Sequence, residues 1–189
     1  YRKANAASIM AERGNLINGG IYYYNMDQNK EALKYFGLYV DIAENPMMAD
    51  QNLLKTDTVL PQIAYYASLA AGRIEDYASV SKYATYSKDD KEFGQNSMEL
   101  ISTALKNLGK TEEWIASLKE GLNKYPHDTF FFGSLIDYYN NNNKFDEAMS
   151  FADGMIANDP NNAFFIYVKG YLFHNMKKYD DAITYYSQA

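Results

Sequence analysis

The two histidines of the chain are the first residues to consider for catalysis or metal binding. His127 and His174 are the only imidazoles in 189 residues, and there is no cysteine. A zinc site needs several His, Cys or carboxylate ligands at suitable spacing, and neither histidine has a second His or Cys near it. His127 follows Pro126, and we predict that it lies in a solvated turn. For His174 we predict a groove or interface role near the end of a helix. Neither residue predicts a metal site or histidine-based nucleophilic catalysis.

A phosphate-binding loop and acid–base catalysis are the other chemistries that short motifs suggest. Gly109-Lys110-Thr111 has the ending of a phosphate-binding loop, but that loop requires a glycine at position 104, which is alanine. Pairs of acids are each predicted to begin a helix, where carboxylates stabilise the helix dipole; they are Asp89-Asp90, Glu112-Glu113 and Asp180-Asp181. The sequence therefore predicts no enzymatic activity and no cofactor.

The composition excludes two classes of partner. The formal net charge is −6, and the 18 Lys and Arg residues are spread along the chain. Nucleic-acid binding needs basic residues clustered on one face, so we predict no nucleic-acid partner. No apolar run approaches the ~20 residues that a membrane helix needs, so we predict a chain that does not span a membrane. The 19 Tyr and 10 Phe residues, with only 4 Pro, favour long helices that pack through aromatic rings.

The compartment stays open on these features. The chain begins with Tyr1 rather than Met, so we expect a segment or a processed form, from which a targeting signal could have been removed. The lack of Cys and the Tyr- and Asn-rich composition resemble bacterial envelope repeat proteins. We therefore favour an extracytoplasmic location, the bacterial periplasm, over the cytoplasm.

The elements that position these side chains repeat every 34 residues. Phe145-Asp146-Glu147-Ala148 is followed at this spacing by Tyr179-Asp180-Asp181-Ala182, and Pro126 is followed by Pro160. Within one period, apolar residues have the i, i+3, i+4, i+7 spacing of an amphipathic helix, as at Phe132, Leu135, Ile136 and Tyr139. Each period thus predicts a helix, a polar turn and a second helix. Such a pair buries both of its faces only by stacking on neighbouring pairs, so its core positions must recur.

This pattern resembles the tetratricopeptide repeat family, whose motif has a 34-residue period, a small residue at the helix crossing and a terminal proline. The motif also has an alanine in the second helix and an aromatic residue four positions later. Gly170, Ala182 and Tyr186 match it in the last unit, whereas the preceding unit has Ile136 at the crossing and Ala152 at the aromatic position.

The resemblance implies an all-α fold, a right-handed α-α superhelix (solenoid) of stacked antiparallel helix pairs. It implies a single array over residues 1–189, with units at about 13–46, 58–94, 95–128, 129–162 and 163–189, the last one truncated. Two stretches do not fit. Met47 to Asp57 is predicted as a loop or a short extra helix, and Lys3 to Gly14 as an extension of the first helix or the end of an earlier repeat. The last helix lacks a polar outer face, so we expect the natural protein to continue past residue 189.

In this family the first helices of the pairs line a concave groove, and their exposed inner positions contact the ligand. Carried over to this sequence, those positions are Ile21, Tyr24, Asn25, Gln62, Tyr66, Asn96, Glu99, Thr103, Lys106, Phe130, Asp137, Asn140, Phe164, Tyr167, Tyr171 and His174. Tyr167 and Tyr171 are the strongest candidates because they lie four residues apart on one helix face, away from Gly170.

The resemblance, with the aromatic and amide-rich character of these positions, predicts a non-catalytic protein–protein interaction scaffold. Its partner would be a protein or an extended peptide bound in the groove. Lys106 is the one basic residue among the positions, so we predict no carboxylate clamp for chaperone tails. Two alternatives stay open. Aromatic faces with Asn and Asp could bind glycans, as in a family of outer-membrane glycan-binding lipoproteins built on helical repeats. The aromatic surfaces or uncapped ends could instead pair two chains.

Overall fold

The computed structural model describes residues 2–189, with side chains from residue 4 onward. Within that range the chain is helical and contains no strand, which confirms the all-α helical-repeat class. The helices are α1 (Arg2–Asn25), α2 (Asn29–Glu44), a 3₁₀ helix (Pro46–Gln51), α3 (Leu53–Thr56), α4 (Leu60–Arg73), α5 (Tyr77–Ala84), α6 (Gly94–Asn107), α7 (Thr111–Lys124), α8 (Thr129–Asn141), α9 (Phe145–Asn158), α10 (Ala163–Asn175) and α11 (Tyr179–Gln188). In the described part of the chain, no helix is long and apolar enough to cross a membrane.

The helices form two compact units, which are described separately below. The N-terminal unit runs to Ser117, and the C-terminal unit is Leu118–Ala189. In the N-terminal unit, α2 packs against both α1 and α4, and α4 packs against α5. In the C-terminal unit, α8 packs against α9, and α10 packs against α8, α9 and α11. Each unit is therefore built from neighbouring helices that share a hydrophobic core.

A left-handed residue marks the turn inside every helix pair and shows the repeat directly. The residues are Asp27, Glu75, Gly109, Asn143 and Lys177, with φ between 56° and 71°. The last four are each 34 residues apart, whereas Asp27 precedes Glu75 by 48 residues. This conformation ends a helix by satisfying its last carbonyl groups. The period is thus present in the backbone at residue 75, ahead of the part of the sequence in which the motif is clear.

Two glycine-to-alanine substitutions are expected to change stability in opposite directions. Gly109 has a φ of +71°, so alanine there is expected to lower the free energy of unfolding by about 1 kcal/mol. Gly14 lies inside α1 with no atom within 4 Å of an added Cβ, so alanine there is expected to raise it by about 0.5–1 kcal/mol. Urea denaturation of the two variants measures the difference. A gain at Gly109 or a loss at Gly14 would contradict these two backbone environments.

The two helices of a pair cross where a large side chain meets a small one. In the α10/α11 pair, a Cβ added to Gly170 would lie 2.7 Å from the Tyr186 ring. The α8/α9 pair exchanges the sizes: Ile136 is 1% exposed on the first helix, and Ala152 is fully buried on the second. Because the volume at the crossing is filled in both arrangements, the α8/α9 pair can depart from the small-then-aromatic pattern and still pack.

The two stretches that do not fit the period are both helical, and they pack against each other. Residues 3–14 belong to α1, which is continuous over 24 residues, so the prediction of an extended first helix is correct. Residues 47–57 form the 3₁₀ helix and α3, so the prediction of a short extra helix is also correct. Together they close a second small core that consists of Ala6, Ala43, Met48, Leu53 and Leu60.

A buried ion pair fastens this small core to the rest of the N-terminal unit. The Arg13 guanidinium donates to Asp57 Oδ2 at 2.5 Å and, through Nε and Nη2, to the Tyr39 carbonyl at 3.2 and 3.0 Å. The Tyr39 hydroxyl donates to the same Asp57 oxygen at 2.8 Å. Burial and this hydrogen bond raise the pKa of Tyr39 to about 12. Burial would raise the pKa of Asp57 too, but hydrogen bonds from Tyr39, Arg13 and the Val59 N–H outweigh it and hold that pKa below its usual value.

The predicted helix positions of the acid pairs are correct in two cases and wrong in one. Glu112-Glu113 and Asp180-Asp181 lie in the first turns of α7 and α11. Asp89-Asp90 lies in the turn before α6, where Asp90 Oδ1 accepts hydrogen bonds from the N–H groups of Glu92 and Phe93 at 2.8 and 3.0 Å. An aspartate that binds the next backbone N–H groups stabilises a turn, which explains its position outside the helix.

Candidate functional site

A cavity of about 400 Å³ opens between α1 and α4 on the first-helix side of the N-terminal unit. Five of the sequence-predicted groove residues line it: Ile21, Tyr24, Asn25, Gln62 and Tyr66. The remaining lining residues are Ile17, Phe36, Val59 and Ile63. None of these nine side chains is charged. Two half-buried tyrosine rings and the two exposed amides of Asn25 and Gln62 therefore surround an apolar interior.

Packing among rings holds the walls of this cavity in place. The Tyr24 and Tyr66 centroids are 6.3 Å apart, and each lies close to the buried Phe36 ring, at 6.4 and 6.0 Å. The Arg73 guanidinium carbon lies 4.3 Å from the Tyr24 centroid, a distance suited to a cation–π contact. Because these aromatic side chains are in mutual contact, little conformational entropy would be lost when a ligand binds between them.

A second cavity, of about 600 Å³, adjoins the first through Tyr24. Thr103 is the other predicted groove residue that lines it, together with Arg73, Leu69, Leu100 and other residues of α4, α5 and α6. The structure thus brings α1, α4 and α6 positions to one surface within this unit. Asn96 lies apart from both cavities, and its amide contacts the Tyr65 hydroxyl at 3.4 Å.

The remaining two predicted residues of this unit do not line either cavity. Glu99 is half-buried on α6, one helical turn before Thr103. The Lys106 ammonium lies 5.1 Å from the centroid of the Trp114 ring. The positive charge of Lys106 is therefore placed against an aromatic ring rather than in a cavity.

Amides and tyrosines form a connected polar group on the first-helix side of the C-terminal unit. Asn140 Nδ2 lies 3.5 Å from the Tyr171 hydroxyl, and Asn175 Nδ2 donates to Asn140 Oδ1 at 3.1 Å. Tyr167 is the most exposed of the predicted aromatic residues, at 52%. The structure therefore brings α8 and α10 positions together here, through Asn140 and Tyr171.

The other predicted residues of the C-terminal unit are partly or fully exposed. Asp137 and His174 are exposed, and the His174 ring lies 5.6 Å from the Tyr179 ring. Phe130 and Phe164 are half-buried, with centroids 5.3 Å from Phe131 and 5.9 Å from Phe132 respectively. Their rings thus both contribute to the core and leave an edge accessible.

The C-terminal unit also has a cavity that the sequence did not predict. It measures about 500 Å³ and lies between the second-helix residues of α7 and α9. Leu122, Phe151 and Met155 are among its apolar lining residues, and His127 and Asp159 lie at its polar edge. His127 is exposed in a turn, as predicted, and its Nδ1 is 3.6 Å from Asp159 Oδ2. No periodic signal marks this cavity, because its lining mixes helix and turn positions.

Comparison with known proteins supports the fold. Residues 165–189 match the family model of the tetratricopeptide repeat. A crystal structure of MamA protein superposes with a TM-score of 0.61 at 11% identity, covering 94% of this chain and 90% of that chain. MamA residues 41 to the end from Desulfovibrio magneticus RS-1 give 0.58 at 12% identity, covering 94% and 92%. YrrB, a TPR protein with an unusual peptide-binding site, gives 0.57 at 15% identity, covering 100% and 91%. The chain has a tetratricopeptide-repeat fold.

The resemblance seen in the sequence is thereby confirmed, and at these identities the solved structures show the fold alone. The comparison with curated proteins gives no match. The tetratricopeptide-repeat register also explains two residues that sequence reasoning missed. Arg73 and Asn175 lie three periods apart, and each occupies the position directly after the one filled by His174 in the last repeat. Extending the groove pattern by that one position would have found both.

Proposed function

We propose that this chain is a non-catalytic scaffold that binds an extended segment of a partner protein on the first-helix side of its repeats. The observation that carries the proposal is the 400 Å³ cavity between α1 and α4, which is lined by five side chains chosen from the repeat register alone. A groove position that also forms a cavity can take a partner side chain rather than merely touch a flat surface.

The chemistry of the cavity favours a neutral peptide with an apolar or aromatic side chain. Phe36 and Ile63 are buried and form its apolar floor, and no lining residue carries a charge. Asn25 and Gln62 can each donate and accept hydrogen bonds, which suits the alternating N–H and C=O groups of an extended backbone. A peptide side chain would enter between the Tyr24 and Tyr66 rings while the amides bind its main chain.

The charges near the cavity argue against a carboxylate-terminated tail as the partner. Arg73 lies beside Tyr24, but its Nη1 is 3.4 Å from Asp27 Oδ1, so its charge is partly compensated. Lys106 lies against Trp114. Neither cation is presented alone to a ligand carboxylate, and the chain as a whole carries a net charge of −6.

A displayed-peptide selection followed by calorimetric titration tests this function. We expect enriched peptides to share an apolar or aromatic residue, and Ile21→Lys to weaken their binding at least about tenfold. Ile21 is 45% exposed at the cavity, so a lysine there places an unpaired charge at the binding position without disturbing the core. The matched control is Leu38→Lys, because Leu38 is 49% exposed on α2 and lines neither cavity.

The outcomes separate the proposal from its alternatives. If no peptide is enriched, or if Ile21→Lys and Leu38→Lys bind the enriched peptides equally well, the α1/α4 cavity is not the binding site. Glycan binding is the second candidate, and the exposed Tyr167 beside the hydrogen-bonded Asn140 and Tyr171 favours it. An oligosaccharide panel assayed by thermal shift distinguishes the two. A shift that Tyr167→Ala abolishes, in the absence of any peptide ligand, would support the glycan candidate.

A further inference from the structure

The last helix of the chain exposes an apolar stripe at positions that are covered in the other repeats. Ile183 is 62% exposed and Tyr179 is 55% exposed. One period earlier, Met149 and Phe145 are both half-buried. In the first repeat the position of Ile183 is filled by Leu33, which packs against the buried cores formed with α4, α5 and α6. The following helices therefore cover this stripe wherever a repeat has a successor.

The exposed residues lie on one face of α11. Tyr179, Ile183 and Tyr186 have the i, i+4, i+7 spacing that places side chains on the same side of a helix. Tyr186 also lies beside Tyr167, with centroids 5.3 Å apart, so the apolar surface continues onto α10. Asp180 and Asp181 fall off this face, on other sides of the helix. The stripe itself therefore carries no charge.

The residues that cover the stripe elsewhere show what kind of surface fits it. α10 packs against α9, and its buried residues Phe165, Val168 and Leu172 are all apolar. The counterparts of these three residues in α1 are Asn15, Asn18 and Tyr22, and all three are exposed. Two of the three are polar amides, so α1 does not present an apolar surface equivalent to that of α10. A head-to-tail contact between α1 of one copy and α11 of another is therefore poorly matched.

We propose that the exposed face of α11 pairs with the same face of a second copy of this chain. The pairing is twofold, with the two α11 helices antiparallel and Ile183 near the axis. The stripe is uncharged and self-complementary, as an isologous contact requires. The antiparallel arrangement also sets opposite ends of the helix dipoles beside each other. The contact buries the positions that a following helix covers in the other repeats, and it leaves the α1/α4 cavity of each copy free.

Sedimentation equilibrium across the micromolar range tests the pairing. For the parent chain we expect the mass to rise with concentration from 21.6 kDa towards twice that value. Ile183→Lys is expected to weaken the association at least about tenfold, because it places two ammonium groups at the axis. The matched control is Leu54→Lys, since Leu54 is 51% exposed in the N-terminal unit. A parent chain that stays at 21.6 kDa, or association that Ile183→Lys leaves unchanged, would overturn the proposal.

A single engineered cysteine tests the twofold geometry independently of affinity. The chain has no cysteine of its own, so Ile183→Cys introduces one thiol per copy. Twofold pairing brings the two thiols together, and mild oxidation is expected to give a covalent dimer on a non-reducing gel. Leu54→Cys is the control and is expected to remain monomeric. Equal cross-linking of both variants would indicate random collision and would also overturn the proposal.

Discussion

Replacing Phe132 by alanine is expected to lower the free energy of unfolding of the C-terminal unit by about 3–5 kcal/mol. The Phe132 side chain is fully buried. Its ring lies 4.8 Å from Phe165, 5.7 Å from Phe151 and 5.9 Å from Phe164, measured between centroids. Truncation removes these contacts and leaves a cavity between α8, α9 and α10, which rigid helices cannot fill by collapse.

Urea denaturation followed by circular dichroism measures this loss. Phe130→Ala is the matched control, because Phe130 lies on the same helix and its ring is only half-buried. We expect the control to lose clearly less stability than Phe132→Ala. Equal losses would mean that the three-ring cluster around Phe132 does not form the core of this unit.

Replacing Arg13 by methionine is expected to lower the free energy of unfolding of the N-terminal unit by about 3–5 kcal/mol. The substitution keeps an apolar side chain of similar length but leaves Asp57 without its cation. Arg13 and Asp57 side chains are only 5% and 10% exposed, so water cannot replace the lost interaction fully. The Tyr39 carbonyl also loses its two hydrogen bonds from the guanidinium.

A double variant and a pH series separate the charge effect from the loss of packing. Arg13→Met/Asp57→Asn removes the buried charge and keeps an acceptor for the Val59 N–H, so it is expected to recover part of the stability. In the parent, the pKa of Asp57 lies below its ordinary value of 3.8. Its contribution is therefore complete above that ordinary pKa and is lost as the pH falls through the lower folded-state pKa. Asp57→Asn should flatten this acid dependence, and an unchanged profile would contradict the assignment.

The repeat could be predicted from the sequence because stacking requires the same residue types at the same phase. The turns at Gly109 and Asn143, the crossing at Gly170 and the helical class all follow from local spacing. The small core between α1 and the 3₁₀ helix could not be predicted in this way. Its residues are far apart in the sequence, and Arg13 in a helix suggests a solvent-exposed side chain until its partner at Asp57 is known.

The candidate site shows the same division. The first-helix positions followed from the register, but which of them share a cavity depends on the angles and distances between helices. Tyr24 lines two cavities, whereas Lys106 lines neither and lies against Trp114. Arg73 was overlooked because the pattern was not extended to the last position of the helix. Side-chain packing therefore decides what the repeat pattern alone leaves open.

The small core closed by the 3₁₀ helix has a consequence for how the chain folds. Ala6 and Leu60 meet in it although more than fifty residues of chain separate them. The C-terminal unit is instead held by packing between helices that are near neighbours along the chain. Closing a long loop costs entropy before its contacts form, so short-range contacts form faster. We therefore expect the C-terminal helix pairs to form early and this N-terminal core to close late. Synthesis starts at the N-terminus, so the first residues made would be among the last to reach their native contacts.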